Sequence, residues 1–125
     1  MSLAFFTIAT RGFLPRARVL ADAVLRQHPQ ARFYVLIADR PQPEDAESTR
    51  GLECLYATEL DLPYAEHFFF RYEAFELCTA LKPYGLLWLL RHTDAAQLIY
   101  LDADIHVLAP FTPVQFIVTA LNCAR

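Results

Sequence analysis

Ile99-Tyr100-Leu101-Asp102-Ala103-Asp104-Ile105 is the stretch on which the fold of this chain turns. An apolar run from Leu98 to Leu101 delivers two aspartates separated by one residue. A second apolar run, Ile105 with Val107 and Leu108, follows at once. The first run reads as a buried strand, with the aspartates where it emerges from a sheet. On an extended backbone, carboxylates at i and i+2 point to the same side, with Cα atoms roughly 7 Å apart. Two hard oxygen ligands that close can share one divalent cation, and such a cation can hold a diphosphate. The plainer alternative is a turn with two solvated carboxylates, but turn aspartates rarely follow four buried apolar residues.

The rest of the chain suits a buried strand of this kind. Its 125 residues are 55% hydrophobic and 20% charged, enough apolar material for one domain with a real core and little scope for disorder. The net charge of −3, with no basic stripe, argues against nucleic acid as a partner. Cys54, Cys78 and Cys123 are odd in number and fit neither a disulfide framework nor a paired zinc motif. Reduced, mostly buried thiols in a cytoplasmic protein are the expectation. No run reaches the ~18 uninterrupted apolar residues of a membrane span. Met1 to Thr10 lacks the basic start and small-residue cleavage site of a signal peptide.

Upstream, Leu3-Ala4-Phe5-Phe6-Thr7-Ile8-Ala9 reads as a buried first strand that ends near Thr10-Arg11-Gly12. A helix is expected from Leu14, with Pro15 tolerated in its first turn and His28-Pro29 as its stop. Ala17, Leu20, Ala21, Val24 and Leu25 form its apolar face, opposite Arg16, Arg18, Asp22 and Arg26. Phe33 to Ala38 is a second strand closing at Asp39. Arg40 to Arg50 is a surface loop or a short frayed helix, and Glu53-Cys54-Leu55-Tyr56 is a weaker third strand. Phe68-Phe69-Phe70 reads as core. It precedes the longest helical pattern, Tyr72 to His92, with Phe75, Cys78, Leu81, Gly85, Leu86 and Leu89 at three- and four-residue spacing. Pro83 lies inside that pattern and is expected to kink the helix or split it near Leu81-Lys82. This alternation of strands and helices implies an α/β fold, Rossmann-like, with a mostly parallel sheet and flanking helices. Ligands of such sheets sit at the carboxyl ends of the strands, where Thr10, Asp39 and Asp102 all fall.

Taken in order, these residues resemble the glycosyltransferases of the GT-A fold, the nucleotide-diphospho-sugar transferases, above all their glycogenin-like and galactosyltransferase-like branch. The likeness spans about residues 3 to 111. It rests on the strand Phe5 to Thr10, the helix opening Leu14-Pro15-Arg16-Ala17-Arg18-Val19-Leu20, the strand ending in Asp39, the helix ending Ala80-Leu81-Lys82-Pro83, and Tyr100-Leu101-Asp102-Ala103-Asp104-Ile105 as the DxD motif. A DxD alone is a weak signal; the Leu-Lys-Pro helix followed by an apolar strand and DxD is much more specific. The resemblance implies the N-terminal, nucleotide-sugar-binding half of a GT-A fold over residues 1–111. It implies that Asp102 and Asp104 hold Mn²⁺ or Mg²⁺ bridging the diphosphate of a UDP-sugar, where the metal acts as Lewis acid toward the leaving nucleoside diphosphate. Thr10 would meet the nucleoside, Asp39 would accept from its base or ribose, and Lys82 would reach the phosphate or sugar. The acceptor would be a carbohydrate or a lipid-linked glycan, with the protein cytoplasmic or peripheral at the inner membrane face.

Each of these residues also has a plainer reading. Asp39 caps the loop from Arg40 to Gln42, Thr10 is a strand-end hydroxyl, and Lys82 lies near a carbonyl freed by Pro83. His106, two residues beyond Asp104, reads as a solvent-facing histidine before a third ligand. His67 and His92 have no supporting neighbours. Residues 112–125, with Phe116 to Arg125, depart from the family's pattern and read as an atypical tail, a remnant of truncation or of a shifted frame. No base, nucleophile or acceptor pocket is legible, so the catalytic half is expected to be absent and enzymatic activity is left open. A sheet short of neighbours for the Leu98 to Leu101 strand is expected to expose an apolar edge open to self-association. Two other readings compete. One is a non-enzymatic α/β binding module that pairs with a partner chain. The other is a haloacid dehalogenase-like phosphatase, disfavoured because its DxD belongs to the first strand.

Overall fold

The computed structural model describes residues 2–63 and 65–110, and of residues 65, 70, 74 and 75 the backbone alone. The tail expected at 112–125, including Cys123, and the Phe70 and Phe75 side chains lie outside this description. Four strands form one parallel sheet: β1 (Leu3–Ala9), β2 (Arg32–Ile37), β3 (Glu53–Tyr56) and β4 (Gln97–Tyr100), in the order β3-β2-β1-β4. The helices are α1 (Leu14–Gln27), the single turn α2 (Asp45–Ser48), α3 (Ala65–Arg71) and α4 (Ala74–His92). The α/β, Rossmann-like class expected from the sequence is therefore the observed one.

The sheet forms because each strand is apolar on both faces, and the two faces bury against different helices. Phe5 and Ala9 of β1, Phe33, Val35 and Ile37 of β2 and Ile99 of β4 pack with Leu14, Ala17, Leu20, Ala21 and Val24 of α1. The alternate residues Ala4, Phe6, Ile8, Leu36, Leu55 and Leu98 pack with Leu81 and Leu89 of α4. This is the two-residue period of a strand read on both sides, and it explains why the strands are continuous apolar runs. Helix α1 begins with Pro15 in its first turn and ends at His28, as its sequence requires. Leu25 departs from its expected buried face and is exposed, as is Val19.

One expectation needs correction. Helix α4 is one element of 19 residues through Pro83; it is not split. Leu81 and Leu89, both fully buried, anchor it on either side of the proline, and Pro83 itself is exposed. The segment before α4 forms a separate helix, α3, and its Phe68 and Phe69 pack against the α4 side of the core, as the reading of that run as core expects. The strand leading into the aspartates, β4, pairs with β1 alone and forms one edge of the described sheet, the position expected of a strand short of neighbours, whereas β1 lies inside.

Among the described residues, no helix is long and apolar enough to cross a membrane.

Candidate functional site

Parallel strands all point their carboxyl ends to one edge, and the register of this sheet sets which ends meet. Ala9 pairs with Ile37 and Phe6 with Tyr100, so β1 runs on past the end of β4. The backbone then continues the ladder briefly: Ala38 N–H donates to the Ala9 carbonyl at 2.9 Å, and Leu101 N–H to the Phe6 carbonyl at 3.0 Å. Thr10, Asp39 and Asp102 leave the sheet immediately beyond these contacts.

A cavity of about 540 Å³ opens between the ends of β1 and β4 and the first half of α4. Its lining includes Ile8, Ala9, Thr10 and Phe13 from one side, Cys78, Thr79 and Lys82 from α4, and Tyr100, Asp102, Ala103 and Asp104 from the other. Four of the five residues singled out in the sequence thus share one cavity: Thr10, Lys82, Asp102 and Asp104. Asp39 does not line it.

The β4 wall is held by its own contacts. Tyr100 Oη donates to Asp102 Oδ1 at 3.0 Å, and Lys82 Nζ lies 3.6 Å from the same oxygen and 4.6 Å from the centre of the Tyr100 ring. The ring is in turn set edge-on against Phe6 at 5.0 Å. Burial of the phenol, reinforced by its bond to the Asp102 carboxylate, pushes the Tyr100 pKa well above its ordinary value, so it remains a donor at all physiological pH. Lys82 thus has a carboxylate and an aromatic face as neighbours. Asp102, Asp104 and His106 are exposed, with Ile105 N–H donating to the Asp102 carbonyl at 3.1 Å to close a turn, so the two carboxylates stand on a turn beyond β4 and not on the extended backbone that their spacing suggests. His106 lies with Asp104 beside a second, smaller concavity of about 340 Å³.

No group of three or more metal-ligating side chains exists among the described residues. A pair of carboxylates nonetheless fits the way Mg²⁺ and Mn²⁺ are taken up with nucleotides. Such ions use one or two protein carboxylates and complete their shell with phosphate oxygens and water. Asp102 and Asp104, solvent-facing on the rim of a cavity large enough for part of a nucleotide, have the right chemistry for that division.

The opposite wall is organised differently. The turn Arg11–Phe13 brings Thr10 and Phe13 onto the cavity, with Phe13 N–H donating to the Thr10 carbonyl at 3.0 Å. Phe13 is an exposed aromatic residue, and the Arg16 guanidinium lies 5.2 Å from its ring centre. Arg11 turns away from the cavity. Its Nε and one terminal nitrogen donate to both oxygens of Asp45, at 2.6 and 3.0 Å, and that same terminal nitrogen reaches the Arg40 carbonyl at 2.6 Å. Asp45 also accepts from Gln42 N–H and Tyr56 Oη, each at 2.9 Å. Asp39 accepts the Arg11 backbone N–H at 2.5 Å rather than capping its own loop; the loop cap is supplied by Asp45.

Sequence reasoning missed this knot. Asp45 is 2% exposed, the one fully buried charged side chain among the described residues, yet it sits in a proline-rich polar run that reads as surface. Its carboxyl is held far below the ordinary range, first by the Arg11 hydrogen bonds and then by Gln42 and Tyr56, against the opposing effect of burial. The Tyr56 phenol is pushed up to about 12 by burial and by its bond to Asp45.

No family model matches the chain, and no curated protein matches it.

Proposed function

We propose that this chain binds a nucleotide-diphospho-sugar at the carboxyl edge of its sheet, through a divalent cation held by Asp102 and Asp104, as the donor half of a GT-A-type glycosyltransferase. The observation that supports this most is the cavity that gathers Thr10, Lys82, Asp102 and Asp104 from three separate elements. In this reading the exposed Phe13 ring and Thr10 receive the nucleoside, by stacking and hydrogen bonding, while the β4 wall receives the diphosphate. Bound Mn²⁺ or Mg²⁺ would stabilise charge on the departing nucleoside diphosphate. Lys82, already placed beside Asp102, offsets negative charge where two carboxylates and a diphosphate converge. UDP is the nucleotide of choice for the test, and a carbohydrate or lipid-linked glycan is the acceptor class.

Calorimetric titration with UDP, with and without Mn²⁺, tests the reading. Binding that requires Mn²⁺ and falls at least ~10-fold in both Asp102→Ala and Asp104→Ala is the expected result. A folded wild-type chain that gives no heat with UDP and Mn²⁺ would overturn it. A second reading, an α/β binding module that pairs with a partner chain or with itself, draws support from the edge position of β4 and from the exposed Ile105 and Leu108 beyond it. Concentration-dependent dimerisation in sedimentation, without nucleotide binding, would favour it.

A further inference from the structure

The two walls of the cavity are held by separate sets of contacts. Asp102 is fixed by Tyr100 and Lys82 on β4 and α4. The Thr10–Phe13 wall is fixed from behind by Arg11, which lies between the two lining residues in sequence and points the other way. Its backbone N–H is held by Asp39, and its guanidinium by the Asp45 carboxylate and the Arg40 carbonyl. Asp45 is itself immobilised by Gln42 N–H and by Tyr56 Oη at the end of β3. A forked guanidinium on a carboxylate that is 2% exposed is a rigid mount, because the acid is desolvated and each of its oxygens is engaged, although the Arg11 side chain stays 29% exposed. Nothing in the donor-site reading uses this pair, and neither Asp39 nor Asp45 lines the cavity.

We propose that Arg11 and Asp45 are positioning residues that hold the Thr10–Phe13 turn in the shape that receives the nucleoside, while leaving the diphosphate and metal side untouched. The inference rests on the donor-site reading above. It gives that reading a division of labour: base and ribose are read by a wall mounted on the β1, β2 and β3 ends, phosphate and cation by a wall mounted on β4 and α4. Loosening the mount should therefore cost affinity for the nucleoside alone.

The test compares two probes on the whole chain, UDP with Mn²⁺ and inorganic pyrophosphate with Mn²⁺, by calorimetry at a temperature where every variant is folded. Asp45→Asn and Arg11→Gln are expected to weaken UDP about tenfold and to leave pyrophosphate within about twofold of wild type. Arg32→Gln, which removes the ion pair with Glu53 at the opposite edge of the sheet, should change neither. If Asp45→Asn does not fold, Tyr56→Phe takes one donor from the same carboxylate and should show the same split, about two- to threefold in size. Unchanged UDP affinity in the variants, or a parallel fall for both probes, would overturn the positioning role while leaving the donor site standing. A wild-type chain that binds neither probe would overturn the donor site, and the inference with it.

Discussion

Thr7 lies in the interior of β1 with its side chain fully buried and its Oγ1 without a hydrogen-bond partner among the described residues. A buried hydroxyl in that position has lost its water and gained nothing in return, at a cost of about 1–3 kcal/mol. Valine has the same branching at Cβ and nearly the same volume, and it suits a strand at least as well. Thr7→Val is therefore expected to stabilise the fold by about 1 kcal/mol, read as a higher urea midpoint with an unchanged slope. A lower midpoint would mean that the hydroxyl serves a partner. Nothing in the sequence marks Thr7, because a threonine within Phe5 to Ile8 is ordinary strand composition. The same holds more sharply for Arg11 and Asp45. Their pairing joins positions 34 apart in the chain, and no local period or motif connects them. Asp102 and Asp104 were legible for the opposite reason: a charge pair directly after an apolar run stands out within seven residues.

Helix α4 shows how packing decides what propensity leaves open. Gly85 faces the sheet where β1 and β2 meet, and a Cβ there would stand 2.9 Å from Leu36 Cδ2 and 3.4 Å from Phe6 Cε2. Both neighbours are 0% exposed, so a methyl there forces one of them to shift within the packed core. Alanine in a helix interior is worth about 1 kcal/mol over glycine, whereas forcing a methyl into a filled core costs about 1–3 kcal/mol. Gly85→Ala is expected to lose stability by about 1 kcal/mol, visible as a lower thermal midpoint. A gain would show that α4 can shift off the sheet. The elements themselves were largely readable. β1 and β3 occupy the expected residues, α1 starts where expected and ends at His28, and β2 and β4 differ from expectation by about a residue at their ends. The failures lie where local rules met tertiary context. Pro83 argued for a break that burial on both sides of it prevents, and the aromatic run at Phe68 hid a helix behind composition that reads equally well as core.

At the scale of the molecule, the Asp45 knot ties the ends of three of the four strands, since Arg11 follows β1, Asp39 and Arg40 follow β2, and Tyr56 ends β3. An edge tied this way should respond to acid as a unit. The folded-state pKa of Asp45 lies far below the value of about 3.9 that a free aspartate has in an unfolded chain. The unfolded chain therefore takes up a proton that the folded chain refuses over the interval between those two values. Stability from this group is fully present above about pH 4–5 and is lost as pH falls toward the depressed value. Asp45→Asn removes the titration and keeps the size of the side chain. The gap in urea midpoint between wild type and Asp45→Asn should hence be constant from pH 8 to about pH 5 and narrow steadily below about pH 4. Hydrogen exchange should follow the same course, with protection of the amides at Arg11, Gln42 and Ala38 falling together in acid while those paired between β1 and β4 persist. Parallel pH profiles for the two proteins would mean that Arg11 and Asp45 are held by the surrounding backbone and do not themselves hold it. In that event the Thr10–Phe13 wall would owe its shape to the register between β1 and β2 alone.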